Sequence, residues 1–77
     1  MPRPPVHEIR YGLIVARVWQ KKHTSGLCYA VTVTRLFRNG SEWKQSTRFA
    51  PSDLQLVRHA LDKAHTWILQ HREAERS

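Results

Sequence analysis

Hydrophobic and polar residues alternate along most of the first two-thirds of the chain, and then the period changes. In VTVTRLFRNGSEWKQSTRF, residues 31–49, Val31 and Val33 alternate with Thr32 and Thr34, which is the two-residue period of a half-buried strand. The preceding run, HEIRYGLIVARVWQ, is rich in β-branched and aromatic residues but long for one strand. Gly12 is a natural place for a bend or bulge. It divides the run into a short strand near Glu8 to Tyr11 and a longer one from Leu13 to Gln20. KKHTSG then reads as a polar turn, LCYAVTVTRLFR as the next strand, NGS as a hairpin signal and EWKQSTRF as the last strand.

From residue 50 onward the period becomes helical. Leu54, Val57, Leu61, Ala64 and Ile68 recur at 3-4-3-4 spacing and predict an apolar stripe facing the sheet. Ser52, with Gln55 three residues on, has capping-box spacing, and Asp53 suits the positive end of a helix. Pro51 as the first helical residue is the alternative start. Leu56, Ala60 and Trp67 form a second apolar shoulder. That shoulder either fills the corners of the sheet or meets a second subunit.

These elements predict an α+β fold: one antiparallel curved sheet of three to four strands followed by a C-terminal helix, βββα or ββββα. A single helix covers one face of a sheet, so the other must meet water or a ligand. Residues 1–8 read as a Pro-rich flexible arm, 9–71 as the domain and 72–77 as a charged tail.

Charge sharpens the picture. The chain of 77 residues has a net charge of +7. Residues 1–50 hold nine cations against Glu8 and Glu42, whereas residues 51–77 are neutral, with four charges of each sign. A field localised in this way draws polyanions, of which nucleic acid is the commonest. So short a chain buries a thin core, and self-association is one way to reinforce it. With Cys28 its one cysteine, the chain forms no internal disulfide and suits a reducing, cytoplasmic setting. No segment is long or apolar enough to span a membrane.

The aromatic residues keep company with the cations. Leu13 and Val15 are followed at the same parity by Arg17 and Trp19, and Val31 and Val33 by Arg35 and Phe37. Residues two apart share a side of a strand, so each strand presents an apolar half and then an Arg-plus-aromatic half, at opposite ends of the antiparallel pair. Tyr29 lies near the first cluster, and Trp43 and Lys44 near the second. Aromatic faces on which bases stack, beside cations that track phosphates, are how proteins hold single strands. Trp19, Phe37 and Trp43 as core residues are the competing reading. Duplex DNA asks for a helix in the major groove, and this helix is neutral.

The order VARVWQKK…YAVTVTRLFRNGSEWKQSTRFAPSDLQLVRHAL resembles the single-stranded-DNA-binding domain of the positive-cofactor-four transcriptional coactivators. The plant Whirly proteins are more distant relatives of that fold. The chain also resembles a group of short bacterial proteins ending in a DL…LV…AL…AHTWI helix. The resemblance spans roughly residues 9 to 69 and implies a dimer in which strand-end aromatics stack on bases. It sets Trp19 with Lys21 and Lys22 at one stacking position and its basic turn, and Phe37 at a second. This chain departs from that pattern in a shorter third hairpin and in Phe37 as a smaller platform than tryptophan.

His59, His65 and His71 are six apart and fall on different sides of a helix. No Cys pair or H-E-x-x-H accompanies them, so neither a metal nor a cofactor is expected; His65, near the apolar stripe, reads as a packed residue. No base stands at a recognised spacing from Ser, Thr or Cys28, and the chain reads as no enzyme. The expected ligand is single-stranded nucleic acid, most of all DNA, held by Arg17, Trp19, Lys21, Lys22, Tyr29, Arg35, Phe37, Arg38, Trp43, Lys44 and Arg48. A homodimer through Leu56, Ala60 and Trp67 is expected. The alternatives are a basic sheet that docks an acidic protein partner, and RNA as the ligand.

Overall fold

The computed structural model describes residues 4–24 and 26–76. Residues 1–3, 25 and 77 lie outside the described residues, and so do the first three residues of the expected arm and the end of the expected tail. The elements are β1 (His7–Tyr11), β2 (Ile14–His23), β3 (Gly26–Asn39), β4 (Glu42–Ser46), a 3₁₀ turn (Pro51–Asp53) and α1 (Leu54–Arg76). The strands form one open, curved antiparallel sheet in the order β1-β2-β3-β4. The fold is the expected ββββα. β1 begins two residues inside the expected arm, and α1 runs to Arg76, through most of the expected tail.

Gly12 makes a hairpin turn rather than a bulge within a strand. Tyr11 pairs with Ile14 across the two-residue loop Gly12–Leu13. Gly12 has φ +59°, and Leu13 is not in the positive-φ region, which is the pattern of a type II′ turn. Gly40, at φ +66°, does the same between Asn39 and Glu42.

The core lies between the sheet and α1. Ile14, Ala16 and Ala60 are fully buried there, with Ile9, Tyr11, Val33, Phe49 and Val57 packed around them. Val18 and Ala64 are buried as well. The helix is rotated from the orientation that its leucines suggest. Ala60 and Ala64 face the sheet, while Leu54 and Leu61 keep 54% and 43% of their surface exposed. Small side chains let the helix axis come close to Ile14 and Ala16, and leucines at those positions would hold it away. His65, expected to be packed, is exposed.

Helix entry follows the alternative start. Pro51 is the first helical residue and Ala50 the cap. The Ala50 N–H donates to Asp53 Oδ2 at 2.9 Å. Arg35 Nε of β3 sits 2.9 Å from the same oxygen, a charge contact rather than an aligned hydrogen bond. One carboxylate therefore ties the helix start to the sheet.

Candidate nucleic-acid interface

Cross-strand partners point to the same side of a sheet, so the register assigns every strand residue to a face. Pairs Glu8–Arg17, Arg10–Val15, Arg17–Thr32, Trp19–Ala30, Lys21–Cys28, Leu36–Gln45 and Arg38–Trp43 belong to the face away from α1. Pairs Ile14–Arg35, Ala16–Val33, Gln20–Tyr29 and Phe37–Lys44 belong to the face that carries α1.

The two Arg-plus-aromatic clusters thus lie on opposite faces. Arg17 and Trp19 stand on the open face, and Arg35 and Phe37 on the helix side. Because Ile14 pairs with Arg35, odd residues of β3 share a face with even residues of β2, and the matching parity of the two clusters separates them. Of the expected ligand contacts, Arg17, Trp19, Lys21, Arg38 and Trp43 come together on the open face. Lys22, Tyr29, Arg35, Phe37 and Lys44 are on the other parity. Arg48 is exposed in the loop after β4, where its N–H donates to Ser46 Oγ at 3.0 Å.

The open face is held in shape by its own side chains. Trp19 Nε1–H donates to Thr32 Oγ1 at 2.8 Å. Thr32 is diagonal to Trp19, and the residue directly opposite is the small Ala30, so the indole leans across β3. Arg17 Nη1 donates to Thr34 Oγ1 and to Gln45 Oε1, both at 3.3 Å, and Arg17 Nε lies 3.7 Å from Glu8 Oε2. A polar row therefore crosses all four strands at mid-sheet. Beneath it Val15 is 1% exposed, flanked by its partners Arg10 and Thr34.

Trp43 occupies the far end of the same face, 59% exposed and opposite Arg38. Arg10 and Arg38 fold back alike onto their turns, donating from Nε to Gly12 O at 3.3 Å and Gly40 O at 3.1 Å. Trp19 pairs at Ala30 and Trp43 at Arg38, eight residues along β3, or about 27 Å at the usual rise per residue. Four cations (Arg10, Arg17, Lys21 and Arg38) share this face with one carboxylate, Glu8. Arg10, Thr32, Thr34 and Gln45 were not among the expected site residues. The two-residue loop at Gly12 carried the signal for Arg10, since it fixes the register that sets Arg10 beside Val15.

Aromatic packing dominates the other side of the sheet. Trp67 of α1 is stacked on His7 (centroids 4.9 Å apart, planes at 7°) and on His71 (3.7 Å, 19°), with Tyr29 edge-on at 5.9 Å. His71 Nδ1 donates to Trp67 O at 2.8 Å, and His59 meets the edge of Tyr11. Trp67 therefore packs against the sheet, and Ala60 has no exposed surface. The shoulder expected at a dimer interface faces inward, apart from Leu56, which is 38% exposed. Leucines 54, 61 and 69 face outward instead. Among the described residues no three His, Cys, Asp or Glu side chains gather as a metal site would require, and no helix is long and apolar enough to cross a membrane.

No family model, curated protein or solved structure matches this chain. The case for a function therefore stands on the residues themselves.

Proposed function

We propose that this protein binds single-stranded nucleic acid on the open face of its sheet, as a non-catalytic module. The carrying observation is the pairing of Trp19 and Trp43 at the two ends of a face that bears four cations and one carboxylate. An extended strand laid along that face meets an indole at each end and Arg17 between them. Base stacking on an aromatic contributes roughly 1–3 kcal/mol per base and tolerates any sequence, so binding is broad in sequence and steep in salt. The resemblance to the coactivator domain favours DNA over RNA and a role in transcription, replication or repair. A reducing, cytoplasmic setting goes with this reading.

The same reading includes a homodimer. Its support is the outward row of Leu54, Leu61 and Leu69 on α1, together with a radius of gyration of 14.3 Å where a compact chain of this length would have about 11.5 Å. An elongated molecule with a thin core and exposed leucines gains most from burying that row against a second copy.

The test is titration of labelled oligothymidine at several salt concentrations, beside oligouridine, the matching duplex and heparin. The expected order is oligothymidine ahead of duplex and heparin, with log affinity falling by about 0.7 per phosphate contacted for each unit of log salt. Equal binding to heparin and oligothymidine would favour the alternative, a basic sheet that docks acidic partners.

A further inference from the structure

The outer edge of β1 lies beside a groove on the helix side of the sheet, and Glu8 is where that edge meets the open-face row. The Leu36 N–H donates to Leu13 O at 2.8 Å, which makes Ile14–Arg35 a wide pair with no bonds of its own. Ile14 therefore turns its backbone toward β1. By alternation His7, Ile9 and Tyr11 bond to β2, whereas Glu8 and Arg10 turn their N–H and C=O groups outward. β1 is an edge of the sheet, so these groups can take up another strand.

A groove of about 400 Å³ runs alongside, between β1 and α1. Its floor is Ile9, Tyr11 and Trp67, and its helix wall is Lys63, Thr66 and Gln70. The Thr66 hydroxyl donates to Asp62 O at 3.0 Å, which leaves its lone pairs to accept. A strand added to β1 would send alternate side chains into this groove, under Lys63, and the rest to the open side, beside Arg10. Among the described residues that line this edge, Glu8 is the carboxylate, and it already has Arg17 as a partner. Both sides of an added strand therefore meet a cation.

We propose that the β1 edge is a docking site for an extended peptide segment bearing carboxylates, which joins the sheet as a fifth strand. Backbone hydrogen bonds to Glu8 and Arg10 would hold it, the groove would accept its inward side chains, and Lys63 and Arg10 would select for negative charge. This proposal shares Arg10 with the open face but needs neither Trp19 nor Trp43.

The probe is a fluorescein-labelled, acetylated heptapeptide of alternating glutamate and valine, followed by anisotropy. Saturable binding is expected in the wild type and, undiminished, in Trp19→Ala. Arg10→Pro removes an outward N–H while keeping the β1–β2 ladder, because proline is tolerated where an edge N–H faces solvent; it should weaken binding at least tenfold. Arg10→Ala, which loses only the side chain, should weaken it less, and Lys63→Glu should weaken it several-fold. Amide exchange of Glu8 and Arg10 in the wild type should slow at least tenfold on saturation, which decides the matter should Arg10→Pro fail to fold. No saturable binding, equal losses in Arg10→Pro and Arg10→Ala, or loss in Trp19→Ala would each overturn the proposal. So would protection of those two amides that rises with protein concentration alone, since the edge would then be taken by a second copy.

Discussion

The two faces of this sheet are made from alternate residues of the same four strands, and they spend their aromatics differently. On the helix side Tyr11, Tyr29 and Trp67 are engaged with histidines and with one another, and Arg35 is tied to Asp53. On the open face Trp43 stands 59% exposed, and Trp19 is fixed by a single hydrogen bond to Thr32. The contrast teaches that an aromatic beside a cation in the sequence has no fixed meaning. The same spacing sets Arg35 against the helix entry on one face and Arg17 beside a candidate platform on the other, and only the register decides which.

That comparison can be broken most forcefully at the core. Ile14→Ala, on the helix side, should cost about 2–5 kcal/mol of stability, read from urea melts, with binding lost only as the protein unfolds. On the open face the order of effects should reverse. Trp43→Ala should leave the melt nearly unchanged and weaken oligothymidine binding by roughly 1–3 kcal/mol, and Trp19→Ala should cost similar affinity plus a modest loss of stability. Phe37→Ala sharpens the contrast, because Phe37 is a near neighbour of Trp43 in the hairpin but on the other face. Its affinity for the oligonucleotide should stay within about threefold of wild type, in keeping with the absence of a lost stack. A loss as large as that of Trp43→Ala would mean that the ligand uses the helix side.

The fold was legible in the sequence because strand and helix periods and the Asn-Gly turn are local signals, although the helix enters at Pro51 with Ala50 as its cap rather than at a Ser52 cap. Which face each cluster occupies was not, because parity within a strand says nothing about parity between strands. One residue of offset sends a whole set to the other face, and it separated Arg35 and Phe37 from Arg17 and Trp19. The helix was misread for a related reason. Of the stripe Leu54, Val57, Leu61, Ala64 and Ile68, Val57 and Ala64 do face the sheet, but Leu54 and Leu61 turn outward and Ala60 takes an inner position, because the alanines permit closer approach to Ile14 and Ala16.

The displaced leucines yield a smaller effect to measure. Leu61→Glu should halve the mass seen by light scattering if the helix row meets a second copy, whereas a wild type already monomeric at high concentration would remove the dimer from the account. The smallest effect is expected at Glu8. Glu8→Gln removes a surface ion pair, worth less than about 1 kcal/mol, and frees Arg17 for phosphate. Affinity should rise slightly, and the salt slope should steepen by about 0.7.

The central claim, that the open face is the nucleic-acid interface, is tested most directly by the three indole N–H resonances. Trp19 and Trp43 lie on that face, and Trp67 is stacked beneath the sheet between His7 and His71. In a ¹H–¹⁵N titration with oligothymidine, the Trp19 and Trp43 signals should shift progressively to saturation while that of Trp67 stays in place. A shift confined to Trp67, or saturation with all three unmoved, would contradict the account.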